Sequence, residues 1–381
     1  MTKPLCPNKE VCGSCSWSHI PYEEQLKLKL SALNDSLKKH LVKLSCREII
    51  PSPVTEHYRN RMDFAIDFQG RVGLREKGKW WRVIDGHCCF LGMKKINSLF
   101  LIVRKWVKEC GLSFYDRKAH KGILRYAVIR SVLKGQGLIN IITSKAESEV
   151  EEREVIFALE ELAKRAGDSS VIWSVNYTHS DVSFGEVKRV LSGDGFLTED
   201  INNFIFKISP NSFFQTNPYL AQQLQVEVIN LAKEAREEAG SGQAVDLYSG
   251  LGFFSIPLSR YFTVQAVESS KSAVIDGKEN AVLNGAKVEF LEQEVEECLV
   301  DALRSNLVVL DPPRSGVSDK AFKVIFEAKP SVIIYISCNY KALARDLSRL
   351  CQWYTVENIK AFDMFPHTPH LETVVMMRYA G

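Results

Sequence analysis

Between Pro21 and Leu41, Tyr22, Leu26, Leu30, Leu33, Leu37 and Leu41 recur at three- and four-residue steps with Lys and Glu between them. That spacing predicts one amphipathic helix, and Pro21 suits its first turn, where a missing N–H costs no intrahelical bond. From about residue 56 to 145 the pattern changes to short alternating runs. Arg61–Phe68, Val72–Arg75, Trp80–Ile84, Ala127–Leu133 and Gly137–Ile142, parted by glycine-containing turns, predict a mainly β module with a helix near Lys94–Cys110. Glu147–Arg165 reads as a charged helix, and Val171–Tyr177 and Phe204–Ile208 as further strands. After about residue 220 helices and strands alternate: Leu220–Ala239, Ala244–Leu247, Ile256–Tyr261, Val264–Val267, Ser272–Asn284, Val288–Phe290, Leu307–Leu310, Val332–Ile336 and Ala342–Leu350. Strands separated by helices pair in parallel, so this rhythm predicts an α/β sheet with crossover helices. Three regions follow: 1–55 with a cysteine loop and the amphipathic helix, 56–205 with the β-rich module, and 206–381 with the α/β domain.

With 45% hydrophobic and 25% charged residues the chain can bury a core, which excludes disorder as its description. No run approaches the roughly 20 apolar residues of a membrane span, and Met1–Glu10 has no apolar signal segment, so a cytoplasmic protein is expected. The net charge of +3 hides a division. Residues 1–140 carry 26 Lys and Arg against 12 Asp and Glu, an excess of 14 positive charges; residues 141–381 carry 23 against 34, an excess of 11 negative ones. A basic front half fits a polyanion partner, although a solvated basic surface would look the same.

The chemistry concentrates at strand ends. In AVDLYSGLGFFS, Asp246 closes a strand and Gly250 and Gly252 form the turn before a helix, where a ligand can approach the backbone. Glu268 ends the next strand and is placed to accept ribose hydroxyls. Ser255 replaces the third glycine of a dinucleotide fingerprint, which favours a nucleoside cofactor without phosphates, S-adenosylmethionine (SAM). Asp311 closes LVVLDPPR, and Pro312 and Pro313 stiffen the loop behind it. Cys338 follows a third apolar strand at a helix start, with Lys341 near, so its pKa is expected to fall below about 8.5. A buried free cysteine is the bland alternative. His367, His370 and Glu372 precede the last strand without helical metal-ligand spacing, and Glu372 reads as an acid–base group.

Ten cysteines are too many to be core filler alone, and disulfides do not fit a reducing compartment. Cys6, Cys12 and Cys15 on one loop, with Cys88 or Cys89 as a distant fourth, offer a zinc site or an iron–sulfur site. Arg59, Arg61, Arg71, Arg75, Lys77, Lys79 and Arg82 alternate with Tyr58, Trp80 and Trp81, an RNA-binding pattern in which one tryptophan of a strand pair faces solvent.

SPNSFFQTNP (209–218), DLYSGLGFF (246–254), LDPPR (310–314), YISCN (335–339) and DMFPHTPHLE (363–372) resemble, in this order, the motifs of the RNA (uracil-5)-methyltransferases. The resemblance covers Cys6 to the C-terminus. It implies a Rossmann-like SAM-dependent domain with Cys338 as nucleophile and Glu372 as base. Gln215, Tyr248, Phe253, Glu268, Glu294 and Asp311 are implied as cofactor contacts beside Gly250 and Gly252. Phe213 is implied as a stacking surface for a turned-out uracil, with Phe214 beside it, and Arg59 and Arg61 as RNA contacts. It further implies a [4Fe-4S] cluster on Cys6, Cys12, Cys15 and Cys89. Tyr248-Ser249 and Glu294 depart from the commoner residues at those positions. Because Cys6 stands so near the start, no N-terminal β-barrel RNA-binding domain is expected; a similar domain-poor subgroup modifies 23S rRNA. The expectation is thus a monomeric 23S rRNA methyltransferase, with the tRNA T-loop uridine as alternative substrate. Two rivals are a nicotinamide oxidoreductase, which leaves Cys338 and DPPR idle, and a non-catalytic iron–sulfur RNA-binding protein, which needs neither Cys338 nor Glu372.

Overall fold

A computed structural model describes residues 6–239, 242–298 and 307–381, which group into two compact units. One unit contains residues 20–53, 200–206 and 212–381. Its eight-stranded sheet runs in the order Ile49–Ile50, Tyr354–Phe362, Glu372–Tyr379, Val332–Ser337, Leu307–Leu310, Gln243–Leu247, Thr263–Glu268, Val288–Glu292. The last five are parallel, as the alternating rhythm requires. The sheet is nevertheless mixed, because Glu372–Tyr379 inserts antiparallel between Val332–Ser337 and Tyr354–Phe362. Tyr354–Phe362 escapes a period-two reading because its register shifts between Val356 and Asn358, and Asp319–Ala328 adds a helix the pattern did not announce.

The amphipathic helix, Tyr22–Lys39, belongs to this unit rather than with the cysteine loop. Leu33 and Leu37 pack against Val245, Leu310, Ile333 and Leu347. Its buried face is Gln25, Lys29, Leu33 and Leu37, four residues apart and rotated from the stripe read off the sequence; Leu41 is exposed. Two polar residues on the inner face are the reason, and both serve the site described below.

The other unit contains residues 1–19, 54–199 and 207–211. Its seven-stranded sheet has the order Lys79–Asp85, Val72–Glu76, Arg61–Ile66, Leu124–Ser131, Gly137–Thr143, Ser170–Val175, Glu186–Ser192. Only Gly137–Thr143 and Ser170–Val175 pair in parallel, and the helix Glu149–Ala166 supplies the crossover such a pair needs. Glu186–Ser192 is an exposed edge strand, without the buried alternation that would mark it in sequence. The cysteine loop holds a short helix, Lys9–Cys12, and is tied to the β hairpin by Lys77 N donating to Val11 O at 2.7 Å. No helix among the described residues is long and apolar enough to cross a membrane.

Candidate active site

Sheet register assembles the site. Leu247 pairs with Val267 and Leu310, and Leu310 with Tyr335, so Tyr248, Glu268, Asp311 and the segment after Ser337 all emerge at one edge. Ser337 lies opposite Thr373 in the antiparallel pair, and therefore Cys338 and Glu372 leave neighbouring strands side by side. A cavity of about 660 Å³ opens there, lined by Phe213, Gln215, Tyr248, Gly250, Glu268, Glu294, Asp311, Arg314, Phe365, Cys338 and Glu372 among others. Phe213 is 64% exposed, whereas Phe214 is buried.

Two expected contacts do not line this cavity. The Phe253 ring is buried among Phe206, Phe214 and Phe254 at 4.9–5.8 Å between centroids. Gly252 packs where a side chain would press on Ile256 and Phe290. Gly250 is different: at φ +55°, a Cβ there would meet nothing within 4 Å, so its backbone faces open space in the cavity wall. Tyr248, with φ +62°, carries a conformation unusual for a bulky residue at the same turn. Glu268 reaches back to this turn, accepting from Gly250 N at 3.0 Å and Ser270 N at 2.7 Å.

Electrostatics corrects one expectation. The Cys338 thiol stands at the helix start, directly before the cap Asn339, yet its pKa is pushed up to about 11. Burial is the main cause, followed by the charges of Glu372 and Asp311; the Arg314 guanidinium, hydrogen-bonded to the thiol, opposes them. Desolvation outweighs the macrodipole here, and the cation that attends the sulfur is Arg314 rather than Lys341. Burial also holds the Glu372 and Asp311 carboxyls well above the carboxylate range; the Asp311 charge adds to the shift of Glu372, and the Asp246 charge to that of Asp311. Asp246, which accepts from Ser255 Oγ at 2.5 Å, is raised to about 7. Five acids, Glu268, Glu294, Glu296, Asp311 and Glu372, line the cavity with one arginine, Arg314, an acceptor-rich wall that fits the sulfonium and ammonium groups of SAM.

Sequence reasoning missed Arg314, Gln25 and Lys29. Lys29, with its side chain fully buried, pairs with Asp363 at 2.5 Å and donates to Phe365 O at 3.0 Å. The Gln25 amide meets His367 twice: Oε1 accepts from its backbone N at 2.8 Å and Nε2 lies 3.1 Å from Nδ1. Both clamp the loop leading to Glu372, in which His367 has φ +64°. His367 is held neutral, its pKa pushed down to about 4 by burial and then by Lys29, so it is a poor partner for protons near neutrality. In the sequence Gln25 and Lys29 stand off the leucine stripe and read as solvated positions, so nothing local marks this clamp.

In the other unit, Cys6, Cys15 and Cys89 are buried and Cys12 is half-buried. Burial raises the Cys15 thiol, and the Cys6 and Cys89 charges raise it further; Cys89 also feels Cys12. Cys88 faces Arg104 instead. Among the described residues, however, no group of three or more His, Cys, Asp or Glu is arranged to hold a metal ion, so the expected ligand set is not drawn together as such. Arg59, expected as an exposed RNA contact, is half-buried and lies within electrostatic reach of Cys89 and Cys12. Arg61 is engaged with Asp63 at 2.8 Å. Trp81 is 51% exposed; the side chain of Trp80 lies outside the described residues.

A family profile described as tRNA (Uracil-5-)-methyltransferase matches residues 187–380. The tRNA (uracil(54)-C(5))-methyltransferase of Pyrococcus horikoshii is 36% identical over 368 residues, 96% of this chain and 83% of that protein. An uncharacterized RNA methyltransferase of Caldanaerobacter subterraneus is 36% identical, covering 98% of this chain and 84% of its own. The crystal structure of Pyrococcus abyssi tRNA (uracil-54, C5)-methyltransferase with S-adenosyl-L-homocysteine superposes with a TM-score of 0.78 at 32% identity, covering 99% of this chain and 87% of that one. Two of these relatives are named for transfer RNA and none for the ribosomal RNA expected from sequence. The chain belongs to the tRNA (uracil-5-)-methyltransferase family and is a SAM-dependent RNA (uracil-5)-methyltransferase.

Proposed function

We propose that this enzyme methylates C5 of the T-loop uridine of tRNA, position 54, with Cys338 as nucleophile and Glu372 as base. The observation that carries the chemistry is the pairing of Ser337 with Thr373, which sets thiol and carboxyl side by side in one cavity. The substrate is supported by the relatives named above.

C5 of uracil is a weak carbon nucleophile. Loss of the Cys338 proton, aided by Arg314, gives a thiolate that adds to C6, and the ring electrons move to make C5 enolate-like. Gln215, Tyr248, Gly250, Glu268, Glu294 and Asp311 would hold SAM, whose sulfonium would give its methyl group to C5 and leave as S-adenosylhomocysteine. Glu372, once it has given its own proton to water, accepts the C5 proton; the C5–C6 double bond re-forms and the sulfur leaves as thiolate. A paired, stacked uridine hides C6, so the target is turned out of its stack, with Phe213 as the exposed ring that receives it.

Cys6, Cys12, Cys15 and Cys89 would hold a [4Fe-4S] cluster once drawn together around it. Buried thiols that oppose one another's ionisation fit cationic iron as their counter-charge, and Cys89 fits the fourth position better than Cys88 because it senses Cys12. The cluster would pin the loop to the β module; no proton or methyl step involves it.

Incubation with SAM and an unmodified tRNA transcript, followed by nucleoside mass spectrometry, should yield 5-methyluridine that disappears when uridine 54 is replaced by cytidine. Methylation of a 23S rRNA fragment and not of tRNA would return the assignment to ribosomal RNA.

A further inference from the structure

Outside the methylation site, the basic unit carries a groove of about 560 Å³ whose lining includes Phe68, Arg75, Trp81, Val83, Arg117 and Lys118. We propose that this groove binds an unpaired RNA base other than the one methylated, stacked on Trp81 and Phe68 with its backbone phosphate towards Lys118. The proposal rests on the RNA reading above; the groove contains neither Cys338 nor Glu372.

Trp81 and Val83, on the edge strand Lys79–Asp85, both line the groove, and Val83 pairs with Arg75 on the next strand. Trp81 and Phe68 are 51% and 53% exposed, two large rings that the fold leaves half in water. Apolar rings alone would suit a peptide equally well; the surrounding charge decides for RNA. Two of the nearby carboxylates are paired with cations, Asp67 with Arg71 at 2.6 Å and Asp181 with both Arg75 and Arg117 at 2.9 and 2.6 Å; Asp116 accepts from the Lys118 backbone N–H at 2.8 Å and keeps its charge, against the three cations Arg75, Arg117 and Lys118 that line the groove. Arg75 and Arg117 also lie over the Tyr126 ring at 5.5 and 5.7 Å, which fixes them at the rim. The two guanidinium groups share one carboxylate, and Lys118 is exposed beside them, in a segment with 14 surplus positive charges over residues 1–140. Exposed aromatics within a cationic rim recognise a splayed nucleotide, since every base has a π face and every nucleotide a phosphate.

Steady-state methylation of a full-length tRNA transcript tests this. Trp81→Ala and Phe68→Ala should each raise KM for the RNA by between about fivefold and 150-fold with kcat changing less than about twofold, the range for losing one base–aromatic stack. Trp81→Phe should recover most of the loss. Lys118→Ala should reduce the slope of log Kd against log salt by about 0.7–0.9, the value of one phosphate contact. Wild-type KM in both Trp81→Ala and Phe68→Ala, with the wild type methylating tRNA, would overturn the groove assignment alone and leave the exposed rings to a protein partner. Failure of the wild type to methylate any RNA would instead remove the reading on which the groove rests.

Discussion

The thiols gathered with Cys15 and the lone Cys338 differ above all in their neighbours, Cys15 being buried and Cys338 half-buried. Cys15 and Cys338 are both raised chiefly by desolvation. Around Cys15 the groups that raise it further are thiols, Cys6 and Cys89, with the Ser18 hydroxyl opposing them, and thiols are the residue type that the proposed metal centre would use. Around Cys338 stand two carboxyls and a guanidinium, groups that move protons and steady a sulfur anion. The lesson is that a cysteine's role follows from the residue types packed beside it, and that a helix start does not by itself make a thiolate.

The sharpest test of the contrast exchanges one sulfur on each side. Cys338→Ala should lower methyl transfer to tRNA by at least about 10³-fold while SAM binding persists. Cys89→Ser should strip iron from anaerobically purified protein, and Cys88→Ser should leave it in place. Glu372→Gln should slow turnover by roughly 10²–10⁴-fold and accumulate a methylated protein–RNA adduct, visible as a retarded band on a denaturing gel. Unfolding by denaturant should show Lys29→Met losing about 3–5 kcal/mol, because Asp363 is left buried without its cation, and Lys29→Met combined with Asp363→Leu recovering most of it.

The smallest effect concerns pH. With the thiol pKa near 11, the thiolate fraction of the ligand-free enzyme rises about tenfold per unit between pH 7 and 10, and alkylation of Cys338 by iodoacetamide should follow. Arg314→Gln removes a group that lowers the pKa and should slow alkylation at fixed pH. Glu372→Gln removes one that raises it and should speed alkylation. Equal rates in all three proteins would mean that the neighbouring charges do not set the sulfur's ionisation.

Much of this was legible in sequence. Apolar strands ending in Asp246, Glu268, Asp311 and Cys338 declare the edge where the cavity opens, because the parallel register follows from the helix–strand rhythm. The insertion of Glu372–Tyr379 did not follow, since antiparallel closure depends on Tyr354–Phe362, whose bulge disguises it. Nor could the helix Tyr22–Lys39 reveal its true inner face: Gln25 and Lys29 read as solvated positions until Asp363 and His367 supply partners more than 330 residues away. Cys338 opens into the cavity, but its ionisation escapes the sequence, because desolvation is a property of packing and the dipole argument sees only the chain's direction.

The central claim is that the Cys338 sulfur bonds to uracil C6. A tRNA transcript carrying 5-fluorouridine at position 54 offers no removable C5 proton, so incubation with SAM should arrest the enzyme after methyl transfer. Peptide mass spectrometry should then find methylated fluorouridine attached to Cys338, and attachment to another residue, or none at all, would contradict the mechanism.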